Sequence, residues 1–189
     1  MNTSKYSDRE LVWSLYGTQG LLFLLTVGLL FFLHDQPAEL GEYFQFDFRE
    51  LFLFGMLPAL VVVAVDLLLT IKLPSHLYDD GGINRQIFRS RSFWHIVFLC
   101  LLISFVEELL FRGVVQAHIG LVGASIIFAL IHVRYLTKPV LFISVVLMSF
   151  MIGLLFWWTD NLLVTMTAHF VIDFVLALYI RYIEKEEHA

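Results

Sequence analysis

The chain has 189 residues, of which 59% are hydrophobic and only 15% charged, with a mean hydropathy of +0.82. Soluble domains carry about 45–50% apolar and about 25% charged residues, so this excess argues against a soluble globular enzyme and against a disordered chain. Twelve basic residues against seventeen acidic ones, net charge -5, argue against a nucleic-acid binder.

What remains is a multi-pass membrane protein. Six spans of about 20 residues would take about 120 positions and leave only short loops. In chain order the apolar runs predict helices over residues 11–33, 51–71, 93 to about 117, about 119–133, 139–158 and 162–180. The first run is too long for a signal-peptide core and reads as a retained helix. The second is expected to kink at Pro58. The expected fold is therefore all-α, a polytopic membrane helix bundle of about six transmembrane helices. Residues 1–92 form an N-terminal two-helix region with a loop, and residues 93–189 form a helical core.

Lysine and arginine placement sets the expected orientation. With a cytoplasmic N-terminus, Lys5, Arg9, Lys72, Arg85, Arg89, Arg91, Arg134, Lys138, Arg181 and Lys185 all fall inside, ten of the twelve basic residues. Arg49 falls in an outer loop with Asp35, Glu39, Glu42, Asp47 and Glu50, and Arg112 lies within a helix. Both termini are thus expected on the cytoplasmic side. In the loop from Lys72 to Ser92, Asp79-Asp80-Gly81-Gly82 is a turn signal. After it, Ile83, Ile87 and Phe88 share a face, which fits a short interfacial helix. A solvated loop fits equally well.

A charge at the bilayer centre costs at least about 2.5–3.5 kcal/mol, so ionisable residues in apolar spans are candidates for function. They are Asp66, His95, Glu107, Glu108, Arg112, His118, His132, His169 and Asp173. Adjacent helical residues point about 100° apart, so Glu107 and Glu108 cannot both face one partner. Arg112, four residues after Glu108, is placed for an ion pair with it. Glu107 is left without a local counter-ion, the situation expected of a general base; a single buried salt bridge of all three is the alternative. His132 shares a helical stripe with Phe128. His169 and Asp173 are also four apart, where the carboxylate can accept the imidazole N–H and fix its direction. His95, His118 and Asp66 are read as structural, and Cys100 as core.

Glu107 to Arg112 fits EExxxR, Phe128 to His132 fits FxxxH, and His169 to Asp173 fits HxxxN/D. In this order, on separate helices, the three motifs resemble the signature of the CPBP intramembrane proteases. That family includes the CAAX prenyl endopeptidases and the bacterial proteins called Abi or bacteriocin-processing proteins. The resemblance covers about residues 93–180. It implies an endopeptidase of a bacterial inner membrane that cuts a membrane-associated protein or peptide. Glu107 would activate a water with help from His132, His169 and Asp173 would serve the oxyanion, and Glu108, Arg112 and Phe128 would support the site. Asp173 stands where the CAAX enzymes resemble one another in having asparagine. An ionised aspartate cannot donate a hydrogen bond, so Asp173 is cast as the group that orients His169.

Two alternatives accompany that reading. Proteins of this kind are often called metalloproteases, and Glu107, His132, His169 and Asp173 would make a zinc set; a metal-free glutamate mechanism is the other possibility. In function, a non-catalytic immunity or scaffold protein and a proton-coupled transporter compete with the protease. Depth poses a separate question. Simple spans place Glu107 mid-membrane and His132 near the inner end of the fourth helix, so convergence is expected to need a tilted third helix or a longer fourth.

Overall fold

The structure is a computed structural model, and it describes residues 6–33 and 37–182. Lys5, Asp35 and Lys185, used in the charge count above, lie outside the described residues. Among the described residues the architecture is an all-α bundle with five helices long and apolar enough to cross a membrane. These are α1 (Asp8–Leu33), α2 (Phe48–Lys72), α4 (Phe93–Ile131), α5 (Pro139–Thr159) and α6 (Leu162–Tyr182). A short α3 (Ile83–Phe88) lies in the connection between α2 and α4.

The expected third and fourth helices are both in α4. Gly120 divides it, with φ 76° and ψ 172° inside the helical run. That region of backbone space is open essentially to glycine alone. The chain reverses there. Phe111 and Phe128 lie on opposite sides of Gly120, yet their ring centroids are 4.9 Å apart. In a straight helix seventeen residues would separate them by about 25 Å. The returning arm, residues 121–131, rises only about 16 Å, roughly half the hydrocarbon thickness. The fourth rod is thus a half-length return rather than a full span.

This shortness answers the question of depth. Glu107 lies thirteen residues before Gly120 and His132 twelve after it, so both stand about 18–20 Å from the hairpin tip. Neither a tilted helix nor an extended one is needed.

Contacts between connections sort the bundle ends onto two faces. On one, Gln86 Nε2 donates to Tyr6 O (2.7 Å), Arg91 Nη2 to Asp8 O (3.2 Å) and Asn84 Nδ2 to Tyr135 Oη (2.9 Å). On the other, a His118 ring nitrogen meets Leu33 O (3.0 Å), while Asn161 Nδ2 donates to Gln45 O (2.7 Å) and Glu50 Oε2 (2.8 Å). Arg91 and Arg134 lie at the first face, where they bond to Asp8 O and to Asn84, and Arg49, beside Glu50, lies at the second.

Local chemistry explains the helix ends. Asp47 caps α2 by accepting from Arg49 N and Glu50 N, and Ser92 caps α4 by accepting from His95 N. The Asp79–Gly82 turn forms as expected, with Gly81 and Gly82 at positive φ and Asp79 Oδ1 accepting both their N–H groups. The apolar face of α3 is covered by protein: Ile87 is buried with Val12 of α1 and Leu99 of α4. Of the two readings of this loop, a helix forms, but it packs on the bundle rather than into lipid. At Pro58 the expected irregularity takes the form of a wide π turn over Leu51–Met56 just before the proline. Such a turn accommodates a residue with no N–H to donate and a ring that crowds the preceding carbonyl.

Candidate active site

A second π turn, Leu109–Gln116, follows directly on the two glutamates. π turns within α-helices are frequent at functional sites, since the wide turn redirects side chains. Here it carries Arg112 and Gln116 inward. Both are buried, and Glu108 is completely so.

Glu108 is tied on both oxygens. Oε2 accepts from Arg112 Nε (3.2 Å), and Oε1 accepts from His169 Nδ1 (2.8 Å). The remaining guanidinium nitrogens donate to Gln116 Oε1 (3.1 Å) and to Ser149 Oγ of α5 (2.9 Å). Gln116 Nε2 then donates to Gly153 O (2.8 Å). The network joins α4, α5 and α6, and Arg112 also lies 5.6 Å over the Phe128 ring. Gly153 is required by the close approach: a Cβ there would meet Leu121, Arg112 Nη1 and Gln116 Oε1, the last two at 2.9 Å.

Glu107 has a different environment. Its Oε1 accepts from Gln19 Nε2 of α1 (2.9 Å). It lines a cavity of about 300 Å³ together with Thr18 and Leu22 of α1, Ile131, His132, Val133, Arg134 and Tyr135. His132 therefore shares that cavity with Glu107, as the sequence reading requires. The His132 ring is oriented by its own helix, with Nδ1 2.7 Å from Phe128 O. A carbonyl can only accept, so Nδ1 carries a proton and Nε2 is the ring nitrogen turned away from the helix backbone.

His169 and Asp173 lie on α6, and neither lines the cavity. Phe128 contacts both histidines, its ring centroid 4.7 Å from His132 and 6.1 Å from His169. Asp173 Oδ2 is 3.6 Å from His169 Nε2, an ion-pair distance but too long for a hydrogen bond. His169 Nδ1 donates its hydrogen bond to Glu108 across the helix interface, so Glu108 joins Asp173 in fixing the ring.

The zinc reading does not fit this arrangement. Among the described residues no three His, Cys, Asp or Glu side chains gather as a set able to hold a metal ion. Glu107 and His132 line the cavity, whereas His169 and Asp173 do not.

The remaining candidates behave as structural residues. His95 Nε2 meets Tyr16 Oη (2.8 Å), and both ring nitrogens of His118 meet backbone carbonyls, Val114 O and Leu33 O. Asp66 accepts from Ser144 Oγ (3.1 Å), and Cys100 is buried beside Ile96 and Ala177. Sequence reasoning missed Gln19, Gln116, Ser149 and Gly153. Gln116 had a signal, since Glu108, Arg112 and Gln116 form a run at four-residue spacing. Gln19 is a polar residue in an apolar helix, and the other two gain their roles only from packing between helices.

The family model for type II CAAX prenyl endopeptidase Rce1-like proteins matches residues 89–175, the segment that holds all three motifs. A Bacillus subtilis (strain 168) protein recorded as uncharacterized protein YpbD is 48% identical over 170 residues, covering 89% of each chain. The chain belongs to the Rce1-like CAAX protease family. No solved structure matches it. The match begins close to the start of α4, so Gln19, Thr18 and Leu22 are contributed to the site of this Rce1-like protein by a helix outside the matched segment.

Proposed function

We propose that this Rce1-like protein is an intramembrane endopeptidase that hydrolyses a peptide bond of a membrane-associated protein or peptide. The observation that carries the reading is the cavity shared by Glu107 and His132. A water held there has a carboxylate on one side and an imidazole on the other. Glu107 spends one oxygen on Gln19 and keeps the second to accept a proton. The water oxygen bonds to the carbonyl carbon as its proton passes to Glu107, with His132 Nε2 accepting the water's other hydrogen bond. The proton then goes to the leaving amine as the C–N bond breaks, and the products are an acid and an amine. We assign the oxyanion to His169 Nε2–H, on a ring that carries both protons, with the substrate carbonyl lying toward α6 at the side of the cavity rather than within its lining. Glu108 and Arg112 hold the elements in register, and Asp173 sits beside His169 as an electrostatic partner.

The protein is integral to the membrane. We place it in the inner membrane of a bacterial cell, with the arginine-rich face cytoplasmic, so that the cavity beside Arg134 and Tyr135 is reached from that side. The test is cleavage of lipid-anchored fluorogenic peptides by the purified protein in liposomes, with products identified by mass. Wild-type protein is expected to give a defined cut, and His132→Ala to lose it while remaining folded. Undiminished cutting by His132→Ala would overturn the assignment.

A further inference from the structure

His132 lies just beyond the last turn of α4, at φ -79° and ψ 51°, outside the helical register. Its ring is held on one side by Phe128 O and on the other by contacts beyond the helix. Its ring stacks on Tyr135 at 5.8 Å and 26°, and Tyr135 N donates to His132 O (2.8 Å). Tyr135 is in turn held from another part of the chain. Its hydroxyl accepts from Asn84 Nδ2 (2.9 Å) and from Arg134 Nη2 (2.9 Å). Arg134 Nη2 also donates to Asn84 Oδ1 (2.8 Å) and lies 3.4 Å from Asp80 Oδ2. Asp80 itself is fixed by the N–H groups of Ile83 and Asn84 at the start of α3. A continuous set of bonds thus runs from the connection between α2 and α4 to the ring against which His132 rests.

We propose that Asp80, Asn84 and Tyr135 are positioning residues for hydrolysis, forming a brace that keeps the His132 ring turned to the cavity. The inference rests on the peptidase reading above. It accounts for the covered apolar face of α3: that helix is packed on α1 and α4 and so provides a firm anchor for the brace. It also gives Arg134 a role that depends on contacts rather than on net charge. Asn84 is an amide that donates to Tyr135 and accepts from Arg134 at once, which no hydrophobic residue of similar size can do.

The test uses the full chain in liposomes with the lipid-anchored peptides. Asn84→Ala and Tyr135→Phe are each expected to lower kcat about tenfold or more with KM little changed, as small misplacements of a reacting group do. Because both remove the same bond, the double variant should be no slower than the slower single one. Asn84→Leu, which fills similar space and loses both the donor to Tyr135 and the acceptor for Arg134, should show the same loss and serves if the alanine variant does not fold. Arg89→Ala, an exposed change just past α3, should leave the rate unchanged. Nitrogen-15 spectra of histidine-labelled protein supply a readout independent of cleavage, with the His132 signals assigned from their absence in His132→Gln. A shift of those signals in Asn84→Leu supports the brace. Unchanged signals, unchanged kcat or fully multiplicative losses in the double variant would overturn it. If the wild-type protein cuts no peptide, the peptidase reading fails, and the spectra alone decide whether the brace exists.

Discussion

Glu108 has both oxygens bonded and sits in a network whose partners on three helices are bonded in turn, whereas Glu107, its neighbour in sequence, accepts one bond and faces a cavity. Even the partner of Glu107 has spare capacity, since Gln19 Oε1 is buried with no hydrogen-bond partner among the described residues. The contrast separates the two tasks that polar groups perform inside a membrane. A saturated network fixes helices relative to one another, because every group taken from water finds a replacement. An unsaturated one leaves a lone pair for something that arrives. One helix supplies both, since successive residues point in different directions and the π turn carries Arg112 and Gln116 toward one side only.

The largest effect on stability is expected from Arg112→Leu, which strands a fully buried carboxylate. Breaking a buried pair costs about 3–5 kcal/mol, so the variant should show a much lower melting temperature in detergent, or no folded peak in gel filtration. A variant as stable as wild type would erase the distinction between the two regions.

Much of this was legible in the sequence, and the exceptions have physical causes. The pairing of Glu108 with Arg112 follows from four-residue spacing, and the isolation of Glu107 follows from the 100° between neighbours. The meeting of Glu107 with His132 was legible as motif order, but not as depth. Hydropathy reads residues 119–133 as a span like the others, because the short arm is as apolar as a long one. Only the backbone at Gly120 reveals the reversal, and a glycine among Ile119, Leu121 and Val122 gives no composition signal of a loop. The spacing within α6 pairs Asp173 with His169 at ion-pair distance, but it says nothing about Glu108 on α4, which accepts the imidazole N–H. Ser149 and Gly153 depend on the register of α5 against α4, which no local pattern encodes.

Gly153→Ala sharpens the contrast at a single methyl group. It places a carbon against Arg112 and Gln116, and overpacking of this kind costs about 1–3 kcal/mol. The melting temperature should fall, with cleavage by the folded fraction retained in part; no change in stability would mean that the network has slack. Gly120→Ala meets no steric neighbour but needs a backbone region that alanine avoids, at a cost of about 1–3 kcal/mol. Loss of the reversal should move His132 away from Glu107, so cleavage should fall further than the melting temperature alone implies. Activity equal to wild type would separate the hairpin from the site.

The smallest stability effect is expected from Gln19→Leu. The change removes one donor to Glu107 and, with it, an acceptor that has no partner among the described residues, so the net cost should stay within about 1 kcal/mol. Cleavage should fall several-fold as Glu107 loses its anchor on α1. A large drop in melting temperature instead would place Gln19 in the structural network.

The central claim is that adjacent carboxylates divide catalysis from architecture, and one paired measurement tests it. Cleavage rate and melting temperature are determined for Glu107→Gln and Glu108→Gln in the same liposome preparation. Glu107→Gln should lose about 10²–10⁴-fold in rate, the contribution of a general base, with its melting temperature intact. Glu108→Gln should melt well below wild type, because Arg112 and His169 lose the charge between them. A Glu107→Gln variant that cuts at the wild-type rate, or one that melts as low as Glu108→Gln, would contradict the account.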